Sequence, residues 1–238
     1  MSINLVVASP TRVVVCADSR VACSDPSIPT NDNGAQKLFQ AGERSVFGYA
    51  GIGVFNGLNH GGDQRDNPRK LLEDFRDAYR SPLFAALASQ TDLLKRILPG
   101  TPVVFSAFCL TRKPSGEIEL AELVFPLRDR GDGTPELAEP AITGRTITPK
   151  PKSSFLSPHG FVYCNPPDPA VDPFTVTILK LASEINPDDP DAEILREVDH
   201  AFGTAIERDP ACARSIGGTI IVAAIDADGF RWLRSASV

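Results

Sequence analysis

Two short apolar runs open the chain, residues 5–8 (LVVA) and 13–17 (VVVCA), separated by Ser9-Pro10-Thr11-Arg12. β-Branched residues favour extended backbone and Ser-Pro starts turns, so the pattern predicts two strands joined tightly. The second run ends on Asp18-Ser19-Arg20, a polar triplet where a strand meets a loop. Residues 21–34 are rich in Ser, Pro, Asn and Asp and read as a loop or long hairpin tip. Short strands are then expected at 35–40 and 45–50, with a turn at 41–44 and glycines at 51 and 53 closing the second.

From residue 54 to 98 the period changes. Leu71, Leu72, Phe75, Ala78 and Tyr79 recur at helical intervals, as do Leu83, Leu87, Leu93, Leu94 and Ile97, with a polar break over 60–68. Residues 102–111 and 118–125 read as a hairpin around Pro114-Ser115-Gly116. Residues 127–152, rich in Pro, Gly and Thr, read as a long surface loop or an irregular edge hairpin. A short strand is expected at 161–164. Asp172-Pro173 starts a helix running towards Ile185, and a second begins after Asp188-Asp189-Pro190. The apolar stretch 219–225, an Asp-Gly turn and residues 230–234 make a terminal hairpin. Strands, helices, strands, helices, strands in that order predict a layered α+β sandwich in one domain spanning 1–238.

Composition narrows the function without naming it. Of 238 residues, 42% are hydrophobic and 23% charged, as in ordinary globular proteins. The net charge of −6 and the absence of a basic, aromatic stripe argue against nucleic acid as a partner. No run of eighteen apolar residues predicts a membrane span, and no basic-then-apolar leader predicts secretion. Five scattered cysteines without a CxxC pair suit reduced thiols in a cytoplasm rather than a disulfide frame or zinc site. The three histidines lie far apart and no His/Asp/Glu cluster with ligand spacing is read, so neither metal nor cofactor is expected.

The chemistry that does stand out is at the start. Ser2 follows the initiator methionine, and a small residue there normally allows Met1 to be removed. The mature chain would begin with a hydroxyl and a free α-amine on one residue. That amine, titrating near neutrality, can serve as base for its own hydroxyl.

Four segments in order resemble the proteasome β-subunit family of N-terminal-nucleophile hydrolases, a group that includes bacterial proteasome-related proteins. VVVCADSR is similar to the family's second strand, and Ser2 precedes Asp18 by sixteen residues, the family's separation between nucleophile and strand-end aspartate. Gln36-Lys37-Leu38-Phe39 resembles the strand that carries its catalytic lysine. Tyr49-Ala50-Gly51, ending fourteen residues after Lys37, matches the glycine whose N–H forms its oxyanion hole. Arg208-Asp209 and Ser215-Ile216-Gly217-Gly218 resemble its Arg-Asp and Ser-Gly-Gly motif, with three extra residues between the halves. Two positions differ: serine replaces the usual threonine nucleophile, and Cys164-Asn165-Pro166-Pro167 stands where the family has a serine before its third helix.

The resemblance implies a four-layer αββα sandwich and an acyl-enzyme mechanism on an amide or peptide substrate. Ser2 would be the nucleophile, with Lys37 supplying positive charge and Asp18 orienting Lys37. Gly51 would bind the oxyanion, and Asp209 and Ser215 would hold the amine. It also implies a self-compartmentalised homo-oligomeric ring, and leaves open whether an ATPase docks on it. Two other readings stand beside it: a small-molecule amidase on the same fold, and a non-catalytic assembly protein.

Overall fold

A computed structural model describes residues 4–22, 31–32, 34–51, 66–88, 103–149, 173–209 and 216–235. The opening apolar runs form β1 (Asn4–Ala8) and β2 (Val13–Asp18), paired antiparallel with Asn4 opposite Ala17. Val21–Ala22 (β3) and Asn31–Asp32 (β4) pair as a short ribbon. Then come β5 (Leu38–Gly42), β6 (Ser45–Gly51), the helix α1 (Pro68–Ala88), β7 (Val103–Arg112), β8 (Ile118–Asp129), β9 (Pro135–Leu137) and β10 (Ala141–Ile147). Two helices, α2 (Pro173–Ala182) and α3 (Asp191–Arg208), precede the terminal hairpin β11 (Ile220–Asp226) and β12 (Gly229–Arg234).

Ten of these strands make two antiparallel sheets. One has the order β1-β2-β11-β12. The other has the order β10-β8-β7-β6-β5, with β9 paired to β8. The architecture is therefore mixed α and β with antiparallel pairing throughout, as the order of apolar periods predicts.

Strand alternation sorts the side chains of β1 and β2 onto two buried faces. Leu5, Val7, Val14 and Cys16 pack with Ile194, Val198 and Phe202 of α3. Val6, Ala8, Val13 and Val15 pack instead with Leu38, Val46, Leu110 and Leu120 of the second sheet. Burial on both faces is why these strands are continuous apolar runs rather than alternating ones. The far face of the second sheet presents Phe47, Phe105 and Phe125 to Leu71, Leu72 and Phe75 of α1. Ala78, which fits the same period, is exposed, so the buried stripe of α1 is narrower than its apolar spacing suggests.

Of the stretch 127–152, residues 127–149 are described and take the edge-hairpin alternative: β8 continues to Asp129 and β9 and β10 follow. β10 is an edge strand with Thr143, Gly144, Arg145 and Thr146 exposed, so it carries no apolar period that could announce it. The expected strand at 161–164 and the helical positions from Leu87 to Ile97 lie outside the residues whose side chains are described. Among the described residues no helix is long and apolar enough to cross a membrane.

Four tight connections, at 9–12, 43–44, 113–117 and 227–228, collect at one end of the paired sheets. They tie the sheets together there. Phe230 N–H donates to Glu43 O at 2.7 Å, and Arg112 Nη2 donates to Pro10 O at 2.8 Å. The opposite end holds the start of β1, the end of β2, the start of β5 and the end of β6.

Candidate active site

Asp18 is the last residue of β2 and is fully buried. Lys37, in the extended segment leading into β5, reaches it with Nζ 2.9 Å from Asp18 Oδ2; the side chains are 3% and 0% exposed. The ammonium also donates to Arg20 O at 2.6 Å. Arg20 N–H in turn donates to the same Asp18 oxygen at 3.2 Å. The Ser-Arg turn after β2 thus closes a ring of hydrogen bonds around one ion pair.

Burial dominates the electrostatics. Loss of hydration pushes the Lys37 pKa below its ordinary 10.5, and the Asp18 carboxylate opposes that fall by charge and hydrogen bonding. A neutral amine is therefore easier to reach here than on a surface lysine. An ion pair this deep carries a large desolvation cost that only close geometry and further hydrogen bonds offset.

Gly51 ends β6 two residues beyond Tyr49, whose N–H donates to Lys37 O at 3.3 Å. Its φ of +134° lies where L side chains rarely go, and a Cβ there would sit 2.5 Å from Val104 O. The strand end thus requires glycine, which leaves one face of the backbone uncovered by a side chain.

The register adds a residue that spacing alone does not suggest. Asn4, at the start of β1, is 3% exposed and its Nδ2 donates to Tyr49 O at 3.2 Å, bridging the two sheets. Its Oδ1 is buried without a hydrogen-bond partner among the described residues. Asn4, Tyr49, Lys37 and Asp18 are thereby linked in one chain of contacts at the end of the sheets remote from the tight turns. The signal available was a polar residue heading an apolar strand.

Asp18, Lys37 and Gly51 are thus gathered at one end of the sheets. Asp209 is the C-cap of α3, half-buried, with its N–H donating to Ala205 O at 3.1 Å. Ser2, Ser215 and Asn165 lie outside the described residues. The neighbours of Ser215 do reach the site: Gly217 O accepts from Ser19 N–H at 3.2 Å and from Arg20 N–H at 3.0 Å.

One acidic group departs from the expectation that no His/Asp/Glu cluster has ligand spacing. Asp189, Glu193 and Glu197, four residues apart, bring carboxylate oxygens within 4.8 Å of one another along α3. Asn186 donates to Asp189 and Arg196 to Glu193, as on a solvated helix face. Glu197 is pushed up, first by burial and then by its two acidic neighbours.

No protein-family model matches the chain, and no curated protein is similar to it.

Proposed function

We propose that this chain is an N-terminal serine hydrolase of the proteasome β-like type, cleaving amide or peptide bonds through an acyl-enzyme. One observation carries the proposal. The buried Lys37–Asp18 pair, 2.9 Å apart, lies at the strand end beside the start of β1 and the glycine that ends β6. Packing alone would be served as well by apolar side chains in those places, since a buried ion pair gives little net stability.

In the proposed mechanism the Ser2 hydroxyl, freed of Met1, attacks the acyl carbon while its own α-amine takes the proton. The Lys37 ammonium favours a depressed amine pKa and stabilises negative charge developing on the serine oxygen. Asp18 and the Arg20 carbonyl keep that ammonium in place. The Gly51 N–H donates to the tetrahedral oxyanion, an interaction of about 3 kcal/mol in such sites. Asp209 and Ser215 steady the amine. The tetrahedral intermediate collapses as the α-ammonium returns its proton to the leaving amine and the amide C–N bond breaks. Water then attacks the acyl-enzyme, the α-amine taking a water proton and returning it to the Ser2 oxygen as the acid leaves, with no metal or cofactor taking part.

The four-layer αββα sandwich belongs to the same proposal. It is supported by three apolar clusters: α2 and α3 against the first sheet, sheet against sheet, and the second sheet against α1. Assembly into a homo-oligomeric cytoplasmic ring is the further expectation, and a particle of ring size in solution would favour peptides over small amides as substrates.

The test is the intact mass of the untagged protein before and after a serine/threonine-directed covalent probe. A chain lacking Met1 that gains one adduct, lost in Ser2→Ala, is the expected result. A chain that keeps Met1, or a processed chain that gains no adduct, would overturn the nucleophile assignment.

A further inference from the structure

The turn that follows β2 is gripped from the other side of the site by a glycine. Gly217, just before β11, directs its carbonyl at two consecutive amides, Ser19 N–H at 3.2 Å and Arg20 N–H at 3.0 Å. The same turn is fastened to the segment leading into β5, because Ser19 O accepts from Ala35 N–H at 3.1 Å. Its other carbonyl, Arg20 O, accepts from Lys37 Nζ at 2.6 Å. Two residues therefore span the gap between sheets, with Gly217 on one flank and Lys37 on the other.

Gly217 has a backbone angle that side chains rarely adopt, and it faces the guanidinium of Arg20. Its φ is +147°, and a Cβ built there would lie 2.9 Å from Arg20 Cζ and 3.1 Å from both terminal guanidinium nitrogens. The flat head of Arg20 occupies the place a side chain would take. Gly217 itself is buried. Adding a methyl group would push aside only the far end of the flexible Arg20 side chain, but it would strain the backbone whose carbonyl holds the amides of the turn.

We propose that Gly217 is a positioning residue for Lys37: by its missing side chain and its carbonyl it holds the Ser19–Arg20 turn, and through Arg20 O the lysine ammonium. This rests on the hydrolase reading for its catalytic consequence, but the clamp is testable without it. An acceptor on the ammonium favours the charged form, so loosening the turn lowers the Lys37 titration midpoint further. It also slows acylation of Ser2, because a small misplacement of a catalytic group costs between about tenfold and a hundredfold in rate.

The experiment compares wild type with Gly217→Ala, both labelled with 13C at lysine Cε, the Lys37 signal being identified by its loss in Lys37→Arg. Titration of that signal and the rate of adduct formation by the serine/threonine-directed probe are read on the same samples. The expected result is a lower Lys37 midpoint together with acylation slowed by about tenfold or more. A folded Gly217→Ala protein whose Lys37 midpoint does not fall overturns the clamp, whatever its acylation rate. If wild-type Ser2 takes no adduct, the hydrolase reading fails and the midpoint alone decides the clamp. Should Gly217→Ala not fold, amide hydrogen exchange of the wild type decides instead. Protection of the Ser19 and Arg20 amides is expected, and exchange at free-peptide rates overturns the clamp.

Discussion

Lys37 and Asp18 stabilise each other mainly by each preventing the other from being a lone buried charge. Removing one leaves an ion in a place from which water is excluded, at a cost of about 3–5 kcal/mol. Removing both leaves a small apolar gap and costs less. Urea unfolding of Lys37→Met and Asp18→Leu should therefore show larger losses singly than the protein carrying both substitutions shows with both charges gone. Additive losses would mean that the two groups do not share a dry environment. Asn4 obeys a related rule with smaller stakes. Its Nδ2 donates to Tyr49 O, so truncating it removes a hydrogen bond that joins the two sheets beside the lysine segment.

At the scale of elements, the turn of the first hairpin is riveted to the start of α3. Ser9 Oγ donates to Asp188 Oδ1 at 2.7 Å, and Arg12 Nη1 donates to Asp189 O at 3.0 Å. Arg12 and Arg231 both engage Asp191 in the first turn of the helix. The two guanidinium groups, Arg231 foremost, hold the Asp191 carboxyl down at about 2 against an ordinary 3.8. A depressed acid stabilises the fold above its unfolded pKa, and that contribution is lost as pH falls through the folded value. With its side chain 44% exposed, Asp191→Asn should cost only about 1 kcal/mol near neutrality. The difference from wild type, followed by urea unfolding, should shrink as pH falls from 3.8 through about 2. The paired carboxylates and arginines of this dock were individually visible in the sequence, but not their meeting across some 180 positions. Likewise β2 and β11 announce themselves because both faces are buried, whereas β10 is hidden by its exposed Thr, Gly and Arg. In the site, Asp18, Lys37 and Gly51 carry side-chain or glycine signatures that spacing could find. The Arg20 and Gly217 carbonyls carry none, since every residue has one.

Among the described residues the two large sheets are pinned at one end by tight turns and carry the candidate chemistry at the other, so the stability of the packing between them bears on both. Glu122 lies in that packing. It is 6% exposed on β8, on the alternation that carries Ile118 and Leu120 towards the first sheet. Its row across the sheet runs through Phe108 on β7 and Thr143 on β10. Burial pushes its carboxyl up to about 7 from an ordinary 4.5, with Arg145 opposing as the nearest influential charge. Between those two values the folded chain holds a proton that the unfolded chain releases. Stability therefore falls as pH rises from 4.5 through about 7 and then levels off. Glu122→Gln keeps the shape and removes the titration. Its unfolding free energy should follow wild type in parallel below pH 4.5 and pull ahead across the window. Above the window the gain should reach roughly 3 kcal/mol at most. Parallel curves at every pH would mean that the carboxyl is solvated in the folded protein and that the two sheets do not close over it. Divergence confined to that window would tie the packing between the sheets to a single proton.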